Sequence, residues 1–127
     1  MKLRFENNTV RIRIRKSELV HLKEHNNITE AVSFPVKAFT YALQIADVKE
    51  ITPVLSESNL LIQIPVVKAS AWIDSDEVGL YHLVDIDNDE ALEVMIEKDF
   101  PCKERPDEDK TDTFTELAAQ KGTRNNC

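Results

Sequence analysis

The sequence predicts an α+β fold: a duplicated strand-strand-helix-strand-strand unit forming an antiparallel barrel or strongly curved sheet of about eight strands with two helices, plus an acidic C-terminal tail. Three observations predict it. Apolar and charged residues alternate with a period of two along the opening segment. The same order of patterns returns about 50 residues later. After Phe100 the apolar periodicity gives way to prolines and acids.

In chain order, Leu3 and Phe5 alternate with Lys2 and Arg4, and Val10, Ile12 and Ile14 alternate with Arg11, Arg13 and Arg15. Both runs read as half-buried strands, and Asn7-Asn8 between them suits a tight turn because Asn tolerates a left-handed backbone. Ser17 reads as the N-cap of a short amphipathic helix through Leu19, Val20 and Leu22, ending near Asn26-Asn27. Strands are predicted from Ile28 to Phe34 and from Val36 to Ile45. The order then repeats: a strand over Ile51 to Leu55, a turn at Ser58-Asn59, a strand through Leu60, Ile62 and Ile64, and a helix opened by Pro65. A strand from Val78 to Ile86, a turn at Asp87-Asn88-Asp89 and a strand through Leu92, Val94 and Ile96 close the second unit. The pairs Ile12 and Ile62, Ile14 and Ile64, Leu22 and Trp72, and Ile28 and Val78 are each 50 residues apart. Joining the two units removes sheet edges that each would otherwise expose, which argues for closure.

The domain reading follows. Residues 1–100 form a single domain, with halves of about 1–49 and 50–100, and residues 101–127 form an acidic extended tail. One short helix interrupts the tail, because Thr113 and Glu116 have capping-box spacing, Phe114 and Leu117 make an apolar pair, and Gly122 ends the turn. That helix is expected to dock on the body.

Composition excludes several function classes. The chain has 127 residues, 31% of them charged, with a formal net charge of −7. A net acidic chain is a poor general nucleic-acid binder, and no apolar run approaches the roughly 18 residues that span a bilayer. Met-Lys-Leu-Arg-Phe-Glu is not a signal peptide, so the expected location is cytoplasmic. With Gly79 and Gly122 as the only glycines, a Walker A loop, a dinucleotide fingerprint and a nucleophile elbow are all ruled out.

The charge is distributed unevenly. Between Lys2 and Lys16, six basic residues face Glu6 alone, whereas between Asp85 and Asp112 twelve acids face Lys98, Lys103, Arg105 and Lys110. Alternate residues of a strand share a face, so Lys2, Arg4, Arg11, Arg13 and Arg15 form one cationic stripe. Three uses compete for it. The stripe lies against an acidic C-terminal strand, it binds an anionic ligand such as a phosphorylated small molecule, or it faces water as a solvated sheet face or a docking surface for an acidic partner.

The opening MKLRFENNTVRIRIRKSELVHL, FTYALQ from Phe39 to Gln44, and EKDFPC from Glu97 to Cys102 with DEDKTD after it resemble an uncharacterised family of small bacterial proteins. The resemblance spans nearly the whole chain and is most specific at Glu-Lys-Asp-Phe. It implies a free-standing domain of unknown function and supplies no catalytic or binding residue.

Other constellations are weaker. Cys102 and Cys127 flank the acidic segment and offer two thiolates for zinc, with His21, His25 or His82 completing the set; a disulfide or two unrelated thiols are the alternatives. His21, Glu24 and His25 spell H-x-x-E-H, yet no third ligand or cleft accompanies them, so a solvated helix face is the reading. Asp85-Ile-Asp87-Asn-Asp89 begins like a calcium loop and fails at Glu90 and Ile96, where glycine and glutamate are required. No residue is assigned a catalytic role and no cofactor is predicted beyond that zinc option. The expected function is a binding or interaction module without catalysis, for a protein or an anionic small molecule. The alternatives are a small enzyme or binder acting on an anionic phosphorylated ligand through the arginine stripe, and a zinc-binding tail site. A homodimer through an exposed outer strand is compatible with the module.

Overall fold

The computed structural model describes residues 1–100 and 112–120, with side chains up to Leu117. Its elements run β1 (Lys2–Glu6), β2 (Thr9–Ile14), α1 (Lys16–His25), β3 (Asn27–Ser33), β4 (Ala38–Ala46), β5 (Thr52–Ser56), β6 (Asn59–Pro65), α2 (Val66–Ile73), β7 (Gly79–Ile86), β8 (Glu90–Lys98) and α3 (Thr115–Gln120). Asn7 and Asn8 both take positive φ in the β1-β2 turn, as their side chains permit, and Asn88 and Asp89 do so between β7 and β8. The Asp85 to Asp89 segment is therefore a strand end and a hairpin turn. Among the described residues no helix is long and apolar enough to cross a membrane.

The strands form two four-stranded sheets, ordered β1-β2-β8-β7 and β3-β4-β6-β5. Each sheet is built from two antiparallel hairpins joined by a parallel pair at the centre, β2 with β8 and β4 with β6. This corrects the expected all-antiparallel barrel or single curved sheet. That expectation assumed that strands adjacent in sequence keep pairing across each helix. Instead each helix is a crossover, since α1 leaves the first sheet at β2 and enters the second at β3, and α2 leads back. Ten helical residues span about 15 Å, enough to bridge sheets packed about 10 Å apart. The parallel pairs are reached by other routes: between β4 and β6 the chain runs through the edge strand β5, and between β2 and β8 it runs through the whole second sheet and back. The outer strands β1, β7, β3 and β5 keep one unpaired edge each, so no barrel closes.

Residues of period two from both sheets meet in one core with one face of each helix. Ile12, Ile14, Leu22, Leu43, Ile62, Ile64, Trp72, Val94 and Ile96 are all fully buried there. Ile12 pairs with Leu3 and Ile96, and Ile62 pairs with Pro53 and Leu43, so the two isoleucines hold corresponding central positions. The 50-residue spacing does not extend to Ile28 and Val78. Ile28 pairs with Leu43, whereas the residue opposite Ile96 in β7 is Leu80, and Val78 lies before the strand.

Helix α1 begins at Lys16, with Arg15 in the extended cap position, so Ser17 sits in the first turn and is not the N-cap. The unsatisfied first-turn groups are met from far along the chain. The Ser17 N–H donates to Asp112 Oδ1 at 3.1 Å and its hydroxyl to Oδ2 at 2.5 Å, while the Lys16 N–H donates to the Asp112 carbonyl at 3.3 Å. Asn26 ends the helix in the left-handed conformation. Phe114 and Leu117 are buried in the main core, so the C-terminal helix does dock on the body.

Candidate functional site

The parallel β2-β8 pair places the opposite charges of the two chain ends side by side. Lys2 lies across from Arg13 and Arg4 across from Arg11, so these four cations share the outer face of the first sheet. On the other side of β2, Arg13 is in register with Glu97. Arg11 Nε donates to Glu97 Oε1 at 2.6 Å, Arg13 Nε stands 3.7 Å from the same oxygen, and the Tyr81 hydroxyl donates to Oε2 at 2.7 Å. Two residues further on, Asp99 meets Lys2 Nζ at 3.1 Å and Arg13 Nη1 at 4.0 Å. The Arg13 guanidinium covers the Phe100 ring at 4.7 Å, a cation–π contact. Arg4 pairs with Glu6 at 2.8 Å. Arg15 is separated from the stripe because the strand ends at Ile14 and the exposed residue becomes the helix cap.

Glu97, Lys98, Asp99 and Phe100 are all buried, and each is held differently. Glu97 and Asp99 bind the cations on the outer face. Lys98 points to the other side, over the Trp72 and Phe114 rings at 6.0 and 5.6 Å, and donates to the Ser75 carbonyl at 2.6 Å. Asp99 also joins three segments through its backbone, donating to the Ile14 carbonyl and accepting from the Phe114 N–H, both at 2.8 Å. Gly79 is required beside this cluster. A Cβ there would stand 2.7 Å from the Ile96 carbonyl oxygen and 2.9 Å from Glu97 Cγ. A shallow cleft of about 360 Å³ between Lys68, Glu77, Gly79 and Tyr81 opens next to it.

Burial pushes the Glu97 pKa up, but the hydrogen bonds from Tyr81 and Arg11 and the charges of Arg11 and Arg13 outweigh it and hold the carboxyl below its ordinary range. A general base works best with a pKa near the operating pH, so this carboxylate is suited to a fixed ion pair rather than to proton transfer. Desolvation, with Arg11 next in importance, lowers the Arg13 pKa. Arg11 and Arg13 with Glu97 and Asp99 thus form a buried latch between the N-terminal hairpin and the end of β8, while Lys2 and Arg4 stay half exposed at its rim.

A second cluster escaped the sequence reasoning. The Met1 ammonium meets Glu18 and, at 2.5 Å, Glu30 Oε1, while the Tyr41 hydroxyl donates to the Met1 carbonyl at 2.9 Å and lies 3.2 Å from Glu30 Oε2. Desolvation, reinforced by Glu30, pushes the Tyr41 phenol up to about 12. The legible signal was Glu30 itself, a charge at an inward-facing strand position. The His21 and His25 rings lie 4.4 Å apart, tilted by 41°, on the exposed side of α1, and among the described residues no group of three or more His, Cys, Asp or Glu is placed to hold a metal. Cys102 and Cys127 lie outside the described residues.

The outer face of the second sheet is the opposite of the first. Register assigns to it Ala38, Thr40, Ala42, Gln44 and Ala46 from β4, flanked by Asn59, Leu61 and Gln63 from β6. The edge strands add Asn27, Thr29, Ala31 and Ser33 on one side and Thr52, Val54 and Ser56 on the other. None of these is charged. Its polar side chains bond laterally: the Thr40 hydroxyl donates to Asn59 Oδ1, and Gln63 Nε2 donates to Gln44 Oε1 at 3.0 Å.

The model of the family of unknown function DUF7009 matches residues 1–117. The chain belongs to DUF7009. No curated protein and no solved structure matches it. The matched span of this DUF7009 chain takes in the latch, the helix-capping Asp112 and the buried Phe114 and Leu117. Of the residues singled out in sequence, the DUF7009 fold brings together Lys2, Arg4, Arg11 and Arg13, adds Glu97, Asp99 and Tyr81 to them, and leaves Arg15 apart.

Proposed function

We propose that this chain is a binding or interaction module without catalysis of its own, built from two copies of one strand-strand-helix-strand-strand unit. The observation that carries the functional reading is the outer face of the second sheet. In a chain with 31% charged residues, four strands turn no charge outward there. Solvated sheet faces carry charge to stay soluble and to resist association, so an uncharged one is suited to contact. Matching placement of Ile12 and Ile62 supports the duplication, as does the identical build of the two sheets.

The test is a photo-crosslinking residue at Ala42, at the centre of the face, in the intact chain within its native cell, with Glu24 on the exposed side of α1 as the control position. A protein adduct at position 42 above the control supports the module; none above the control overturns it. Thermal melts with inorganic triphosphate read the anion alternative. Stabilisation that disappears in Arg4→Ala would favour an anionic ligand on the stripe instead.

A further inference from the structure

We infer that the occupant of the uncharged sheet face is a second copy of this chain, docked face to face across a two-fold axis. The inference rests on the reading of that face as an interaction surface and names its partner.

Charge decides between partners. A partner chosen by its charge finds nothing to pair with on Ala42, Gln44, Leu61 or Gln63. The face nevertheless fits itself, because in an isologous contact every residue meets the same set of residues and no like charges are apposed. Two molecules of net charge −7 repel unless their charged surfaces are turned apart. Stacked through the second sheets, they would hold their charged first sheets at the two ends of a four-layer pile. With layers about 10 Å apart, those ends are roughly 30 Å from each other, well beyond the roughly 8 Å Debye length at physiological salt.

Two further features fit. The lateral hydrogen bonds of Thr40 with Asn59 and of Gln63 with Gln44 satisfy polar groups inside the face, which lowers the desolvation cost of covering it. Four strands at about 4.8 Å and seven residues at about 3.3 Å give roughly 450 Å² in projection. The pleat raises this toward the roughly 600 Å² per partner at the lower end of stable interfaces.

The experiment is sedimentation equilibrium of the intact protein, under reducing conditions, across a wide concentration series. The wild type is expected to show a monomer–dimer equilibrium. Ala42→Glu should weaken it at least about a hundredfold by placing like charges at the axis. Ala31→Glu, on an exposed edge strand where folding is not at stake, should also weaken it, and Leu83→Glu on the first sheet should not. A wild type that stays monomeric overturns the inference, as does a dimer that survives both Ala42→Glu and Ala31→Glu. The crosslink at position 42 separates the two readings. An adduct of twice the chain mass supports this one, an adduct with a different protein overturns it and leaves the module standing, and no adduct overturns both.

Discussion

Glu97 keeps its charge where burial alone would remove it. Its pKa is lowered on balance by Tyr81, Arg11 and Arg13, so folding favours the ionised form relative to the unfolded chain. The stabilisation is therefore fully present above the ordinary value of about 4.5 and is lost as pH falls through the lower folded value. Glu97→Gln should destabilise the protein by about 2–3 kcal/mol at neutral pH, since Arg11 and Arg13 lose their shared anion. The variant should also show a flatter acid limb than the wild type when melting temperature is followed by circular dichroism. At this scale the sequence was informative about kind rather than pairing. The opposite charges of Arg11, Arg13 and Glu97 announced an attraction between the chain ends, yet no local pattern says which carboxylate reaches which guanidinium. Met1 and Tyr41 were illegible for the same reason, because their contacts lie 29 and 40 positions apart.

Among the elements, the β3-β4 hairpin carries the clearest strain. The Phe34 N–H donates to the Lys37 carbonyl at 3.1 Å, closing a loop in which Val36 holds φ at 79°. That conformation suits glycine, and a β-branched residue pays for it. Val36 is fully exposed and loses no packing, so Val36→Gly should raise stability by about 1 kcal/mol in urea unfolding. Helix α1 depends on a residue nearly a hundred positions away. Asp112→Ala removes its first-turn acceptor and should cost about 1 kcal/mol, with faster amide exchange at Ser17 as the local readout. Helix and strand identities were legible from periods of 3.6 and two. The starting point of α1 was not, because Ser17 has the chemistry of a cap while Asp112, delivered by tertiary packing, supplies the bond.

Across the whole molecule, the core extends past the two sheets to the C-terminal helix. Leu117 is 2% exposed in the same cluster as Trp72 and Ile96, so Leu117→Ala should destabilise the entire fold by about 2–4 kcal/mol in a single cooperative transition, not detach a local segment. Biphasic denaturation would show instead that the helix is an independent unit. Alternation by itself determined which residues face the core, since Ile12 and Ile14 must share one side of their strand with Arg11 and Arg13 on the other, and Ile62 and Ile64 must likewise share one side of theirs. It also determined the order of elements and the charge attraction between the ends. The tertiary structure alone decided that β2 lies parallel to β8 and β4 to β6, that two open sheets replace a barrel, and that the cations meet Glu97 and Asp99. The reason is physical: side-chain period reports burial at each strand, which is a local property, whereas strand partners are chosen by where a crossover helix sets the chain down and by contacts between residues far apart in sequence.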